Sequence, residues 1–219
     1  MVRHFDDELA ALKQHLIQMA ARAEESVALS MKTLTDRKEE FARAVFEIEQ
    51  KINNDELEIE AEALRLIAQH QPVATDLRFL TSTIKIINEL ERIGDLSVNI
   101  VEVALDLMKQ PLLKPLIDLP RMAQVASQMV KDSLDAFVTN DSKKAKHVCE
   151  RDDEVDNLND QIFRELITYM IQDPANIKRA VDLILVARHL ERIADHATNI
   201  SENVFYIVEG KTIKHHTPV

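Results

Sequence analysis

Along most of this chain apolar side chains recur every three or four residues, the spacing of one buried face of an α-helix. From about Asp6 to Thr33 the positions Leu9, Leu12, Leu16, Met19, Ala23 and Val27 share such a face and predict a first long helix. A second is expected from about Lys38 to His70. Pro72 stops it, because proline has no amide hydrogen and its ring crowds the preceding turn. A third opens near Asp76, a good capping residue, and carries Ile86, Leu90, Ile93, Ile100 and Leu107 toward a core. The stretch QPLLKPLIDLP, Gln110 to Pro120, holds three of the six prolines and reads as a linker. Three more helices are expected beyond it, at about Arg121 to Thr139, Ser142 to Gln172 and Pro174 to Glu209, the last with proline in its first turn.

Three helices, a linker and three helices suggest a duplication, and the residues support one. NELERIGDLSVNI at 88–100 and RHLERIADHATNI at 188–200 share Leu90/Leu190, Glu91/Glu191, Arg92/Arg192, Ile93/Ile193, Asp95/Asp195, Asn99/Asn199 and Ile100/Ile200, with Glu102/Glu202 just beyond. At an offset of 103, Glu49 falls on Asp152, Ile52 on Val155, Asn53 on Asp156 and Glu62 on Glu165. The repeat is therefore the whole three-helix unit. The fold class expected is all-α, two tandem similar three-helix bundles, with residues 1–110 in the first, 111–120 as linker and 121–219 in the second.

The repeated polar letters carry the candidate chemistry. Glu91, Asp95 and Asn99 sit one turn apart, so they form a stripe drifting only about 40° per step. Relative to the seam Leu90, Ile93, Ser97, Ile100 and Ala104 this stripe points away from the bundle core, and Glu191, Asp195 and Asn199 do the same against Leu190, Ile193, Ala197, Ile200 and Val204. Such a stripe also suits a merely solvated face, since like charges a turn apart oppose a helix by only about 0.2–0.5 kcal/mol per pair. A solvated face does not, however, require the same acids at the same spacing twice. Oxygen-only side chains one turn apart suit a hard multivalent cation, and Glu49 with Asn53, and Asp152, Asp156 and Asp160, supply similar sets on neighbouring helices. No histidine follows a glutamate by three residues, so the di-iron bundle signature is absent. His196, with Leu96 at its equivalent, reads as a lone surface histidine, and the methionines, Met19, Met31, Met129 and Met170 among them, as core filler. His215 and His216 fall in a polar tail.

Composition narrows the function. Only Gly94 and Gly210 occur, so the glycine-rich loops of nucleotide-binding folds and the nucleophile elbow of hydrolases are missing. A single cysteine, Cys149, excludes an internal disulfide and fits a reducing, cytoplasmic setting, and no set of His and acid activates it as a nucleophile. No apolar run reaches the roughly 18–20 residues that span a bilayer, so membrane association is expected only through partners. A net charge of −11 opposes nucleic-acid binding and inorganic phosphate alike.

The paired ERIGD…N and ERIAD…N segments, the QPVATDLR turn at Gln71 to Arg78, the FDDELAALKQHLIQMA opening and the duplicated layout together resemble the PhoU family across essentially the whole chain. That resemblance implies a cytoplasmic, non-enzymatic negative regulator of the phosphate-starvation response, often a homodimer. Its implied partners are the cytoplasmic ATPase subunit of the phosphate ABC transporter and a phosphate sensor histidine kinase. It also implies multinuclear metal clusters, of iron, zinc or another divalent cation, on E(D)xxxD motifs. Those positions here are Glu91 with Asp95, Glu191 with Asp195 and Asp152 with Asp156. Glu49 with Asn53 is the fourth pair, in which Asn replaces the second acid and leaves the first site a carboxylate short. A metal-dependent helical enzyme and a metal-free interaction bundle are the alternatives.

Overall fold

The protein, as a computed structural model, is described over residues 2–213. Its elements are α1 (Val2–Asp36), α2 (Glu39–His70), α3 (Ala74–Leu107), α4 (Asp118–Thr139), α5 (Ser142–Glu150), α6 (Asp152–Gln172) and α7 (Ile177–Glu209), with one 3-10 turn at Pro174–Asn176. No strand occurs among the described residues. The polar tail expected at His215 and His216 lies outside them.

The periodic positions become the core. Leu90, Ile93, Ser97, Ile100 and Ala104 of α3 are all buried, as are Leu190, Ile193, Ala197, Ile200 and Val204 of α7. Met19, Met31 and Met129 are buried, and Met170 packs against the core from its edge. Helices α1, α2 and α3 pack mutually as one bundle, and α4 to α7 as its counterpart. The bundles are also fused, α3 against α7 and α1 beside α4. Arg78 Nε donates to the carbonyl of Ile207, while farther along α3 Glu89 meets His196, so the two long helices run antiparallel. A single hydrophobic cluster therefore passes through both halves. Each Leu or Ile fully buried there contributes about 1.5–3 kcal/mol, which makes the shared α3/α7 face a large share of the cohesion.

Several boundaries differ from the sequence expectation. The fifth helix is broken at Arg151, where i to i+3 bonds (Arg151 N to Val148 O, 3.1 Å; Glu154 N to Arg151 O, 3.0 Å) replace the α-helical pattern. Asp141 caps α5 by accepting from the amides of Lys143 and Lys144, and Arg151 turns to Asp132. Asp152, Asp153 and Glu154 then fill the first turn of α6, where the helix dipole favours acids. The third helix starts at Ala74, with Val73 rather than Asp76 at the cap, and the last begins as the 3-10 turn from Pro174. The proline-rich stretch is no loose tether: Asp118–Pro120 open α4, Leu113 and Leu116 pack on the core, and buried Lys114 reaches Glu165 and Asp118. Arg37, at φ 57°, donates to the carbonyls of Met108 (2.6 Å) and Gln110 (2.7 Å) and so closes the end of α3.

One close approach positions the acid-bearing helices. A Cβ on Gly94 would stand 3.2 Å from Ile52 Cδ1, so α2 and α3 touch where α3 has no side chain. The equivalent pair in the second half is Ala194 with Val155, both buried. The methyl that glycine lacks is balanced by the larger Ile52, and the two crossings conserve volume.

Candidate functional site

Beside that crossing, Glu91 is mostly covered, its side chain 19% exposed, while Asp95 is 40% exposed. Burial first, then the charge of Asp95, pushes the Glu91 carboxyl above the usual range, with Glu56 adding and Arg92 opposing. Glu56 on α2 is raised too, by burial first and then by Glu60 and Asp95, against the pull of Arg92. Arg92 spans the pair, 3.5 Å from Glu91 Oε2 and 3.4 Å from Asp95 Oδ2, but it is exposed and well solvated. Glu56 was not among the residues expected. It lies one heptad beyond Glu49, so it was legible as a member of the same face.

The second half repeats the cluster on α6 and α7. Burial raises Glu191, and Asp156 and Asp195 raise it further, while a hydrogen bond from Asn159 and the charge of Arg188 act the other way. Asp156 and Asp195 are exposed and Asp152 is buried. Asp152 and Glu202 lie close enough to Cys149 to add to the burial that pushes its thiol up to about 12. A thiol so hard to ionise is no nucleophile.

Superposing the repeats at the 103 offset places Glu56 on Asn159 and Asn53 on Asp156. Acid and amide have exchanged places, so each cluster keeps the same number of carboxylates. The first site is not short of one. Asn53 Nδ2 donates to Glu49 Oε1, and Asn53 Oδ1 is buried with no hydrogen-bond partner.

Two expectations about the stripe are corrected. Asn199 does not extend the outward face of Glu191 and Asp195, because its Nδ2 donates to Glu89 Oε2 (3.0 Å) across the α3/α7 boundary. His196 is not a lone surface histidine: its Nδ1 meets the same Glu89 oxygen at 2.6 Å and its side chain is largely covered. Helical drift turns both toward the neighbouring bundle, which a single-helix reading cannot see. Asn99 is half-buried.

Among the described residues no three His, Cys, Asp or Glu side chains converge closely enough to hold a metal ion. The oxygen donors fit a hard cation in kind, but their present rotamers do not form a closed ligand set. No described helix is long and apolar enough to cross a membrane. The grooves lie elsewhere, one between α1 and α4 lined by Leu16, Ala20, Phe137 and Val138, another between α3 and α7 lined by Thr81, Lys85, Asn203 and Tyr206. The second is also lined by Glu202, but neither contains Glu91, Asp95, Glu191 or Asp195.

These features define a class of tandem-repeat, all-helical proteins in which each repeat carries an acidic cluster beside the crossing of its last two long helices. Known proteins share the tandem-repeat helical fold. A family model described as the PhoU domain matches twice, at residues 16–104 and 119–204. The phosphate-specific transport system accessory protein PhoU homolog of Aquifex aeolicus is 42% identical over 208 residues, covering 95% of this chain and 94% of its own length. The homolog of Zymomonas mobilis is 37% identical over 216 residues, covering 99% and 91%. The crystal structure of PhoU from Pseudomonas aeruginosa superposes with a TM-score of 0.91 at 36% identity, covering 94% of this chain and all of that one. The chain belongs to the PhoU family.

Proposed function

We propose that this protein is an accessory regulator of phosphate uptake, a cytoplasmic adapter that represses the phosphate-starvation response. Its partners in this reading are the ATPase subunit of a phosphate ABC transporter and a phosphate sensor histidine kinase, and it works as a homodimer without enzymatic activity. The observation that carries the reading is likeness over the full length: relatives named as phosphate-specific transport system accessory proteins match both repeats end to end. The chemistry agrees, because an acidic chain without glycine loops or an anion nest is poorly built to bind phosphate itself. Crosslinking of the full chain in membranes containing the transporter, mapped to residues, tests it. Crosslinks to the ATPase subunit, together with derepression of a phosphate-starvation reporter when the gene is deleted, are expected. Loss of neither transport control nor repression on deletion, with no crosslink, overturns the reading.

A second element of the proposal is that the two clusters hold multivalent cations, such as iron, zinc or another divalent ion. What favours it is that Glu56, Glu91 and Glu191 are all held above the usual carboxylate range, with neighbouring acids contributing, which a cation relieves. Glu49, Glu56, Glu91 and Asp95 with the orphaned Asn53 oxygen would hold it on one side, and Asp152, Asp156, Glu191 and Asp195 on the other. A cation there would neutralise the acids and tie α2 to α3 and α6 to α7. Added zinc or ferric ion is expected to raise the melting temperature of the wild type and not that of the E91Q/D95N/E191Q/D195N protein. Equal shifts in both would leave the acids as a docking face only.

A further inference from the structure

The outward face of α2 carries a pattern that the bundle itself does not use. Gln50, Asn54, Leu57, Ala61, Leu64 and Ala68 follow one another at alternating steps of four and three, the 3.5-residue period of a helix-pairing seam. All six are exposed, and Leu57 and Leu64 are 64% and 53% exposed. They lie opposite Ile52, Ile59 and Leu66, which face the core, and among the described helices α2 packs only on α1 and α3. A seam of this period on the solvent side asks for another helix.

The comparable helix of the other repeat has the same placement and different chemistry. At the 103 offset, Gln50, Leu57 and Ala61 become Asp153, Asp160 and Arg164, and Asp160 pairs with Arg164 at 3.3 Å. The N-terminal part of that face is solvated by its own ions, whereas Leu64 and Ala68 become Ile167 and Ile171, the latter 78% exposed. The regular alternation of leucine and alanine is found on α2 and not on α6.

We infer that α2 pairs with α2 of a second copy of this chain, antiparallel, about a two-fold axis passing between Ala61 and Leu64. The alternation of large and small side chains makes the seam self-complementary. In that register Leu57 stands opposite Ala68 of the second copy and Leu64 opposite Ala61, twice each, so every leucine meets an alanine and the backbones approach closely. The flanking charges agree. Glu58, 71% exposed, falls opposite Arg65 of the second copy, whose Nε and Nη2 hold Glu62 and Glu8 of its own chain and whose Nη1, turned to Gln69, is left to meet it. The other flank sets Glu60 against Ile67, so no like charges face each other. Parallel pairing would instead stack leucine on leucine and alanine on alanine and lose the large-against-small fit. The inference rests on the homodimer proposed above and assigns its surface. A single helix pair of about five turns lies at the small end of specific interfaces, so the dimer dissociates on dilution.

Sedimentation velocity of the full chain over a wide concentration range tests it, with L57E/L64E as the breaking variant and I167E/I171E on α6 as control. The expected result is a concentration-dependent dimer for the wild type and the control, and a monomer for L57E/L64E with an unchanged circular dichroism spectrum. In a C149S background, A61C mixed with L64C should crosslink on oxidation. A wild-type dimer untouched by L57E/L64E overturns the seam while leaving a homodimer. A wild-type monomer at every concentration overturns both. Should L57E/L64E unfold, the crosslink decides: its absence in a dimeric protein overturns the seam.

Discussion

The two halves of the molecule solve one folding problem with different residues, and the differences show which features the fold needs. Where the first half places Arg22 against buried Asp55, with His15 also 3.2 Å from that carboxylate, the second places buried Val125 and Leu158 at the equivalent positions. Where the first crosses α2 and α3 at Ile52 and Gly94, the second uses Val155 and Ala194. Total volume and total charge at each site are conserved more closely than any one residue. The acid clusters obey the same rule, with Asn53 and Glu56 answered by Asp156 and Asn159.

The largest effect should come from breaking the ion pair from one side. Asp55 is 7% exposed, so Arg22→Val leaves its carboxylate with His15 alone and is expected to destabilise the protein by about 2–4 kcal/mol, while Asp55→Leu, which leaves the one-third exposed Arg22 to turn to water, should cost less. The double variant R22V/D55L copies the second half and should unfold in urea within about 1 kcal/mol of wild type, since well-packed apolar pairs replace buried ion pairs with little loss. Additive losses would mean that His15 and the surrounding packing need the charge.

Next in size is the helix crossing. Gly94→Ala places a methyl 3.2 Å from Ile52 Cδ1 and should destabilise by about 1–3 kcal/mol through overpacking. Adding Ile52→Val, which makes the crossing that of the second half, should recover most of this. No recovery in the melting temperature would show that the α2 backbone, rather than the Ile52 side chain, fixes the spacing.

The same comparison explains what the sequence disclosed. The apolar seams of α3 and α7, the duplication and the repeated acids are local patterns with a helical period, and each was legible from one helix at a time. The break at Arg151 was half-legible, since Asp152, Asp153 and Glu154 form an acidic first turn that signals a helix start. What could not be read were contacts between elements distant in sequence: the Arg37 clasp on Met108 and Gln110, and Glu89 gathering His196 and Asn199 from the other bundle. These depend on how α3 meets α7, which no single-helix periodicity encodes.

A smaller effect separates the halves in pH. His189, at the position equivalent to Glu89, has its pKa lowered, by burial first and then by the charges of Arg192 and Arg188. It stays neutral in the fold at a pH where the unfolded chain takes up a proton, so its share of stability is lost as pH falls through the ordinary histidine range near 6.5. His189→Gln should flatten the fall in stability between about pH 7 and 5, measured by urea unfolding at each pH. An unchanged slope would remove His189 as its source.

The smallest effect belongs to the acid clusters themselves. Glu56, Glu91 and Glu191 have raised pKa values, so the fold holds their protons longer than the unfolded chain does. Stability present while they are protonated is lost as pH rises from the ordinary carboxylate range through the raised values. At neutral pH, without metal, Glu56→Gln should therefore raise stability by a few tenths of a kcal/mol. The exchange N53D/E56N, which rewrites the first cluster in the letters of the second, keeps the carboxylate count and should leave stability within about 0.5 kcal/mol of wild type. If zinc or ferric ion stabilises the wild type, the exchanged protein should gain an equal shift in melting temperature and Glu56→Gln a smaller one. A full shift in E56Q would exclude Glu56 from cation binding and restore the inequality between the two halves that Asn53 alone suggested.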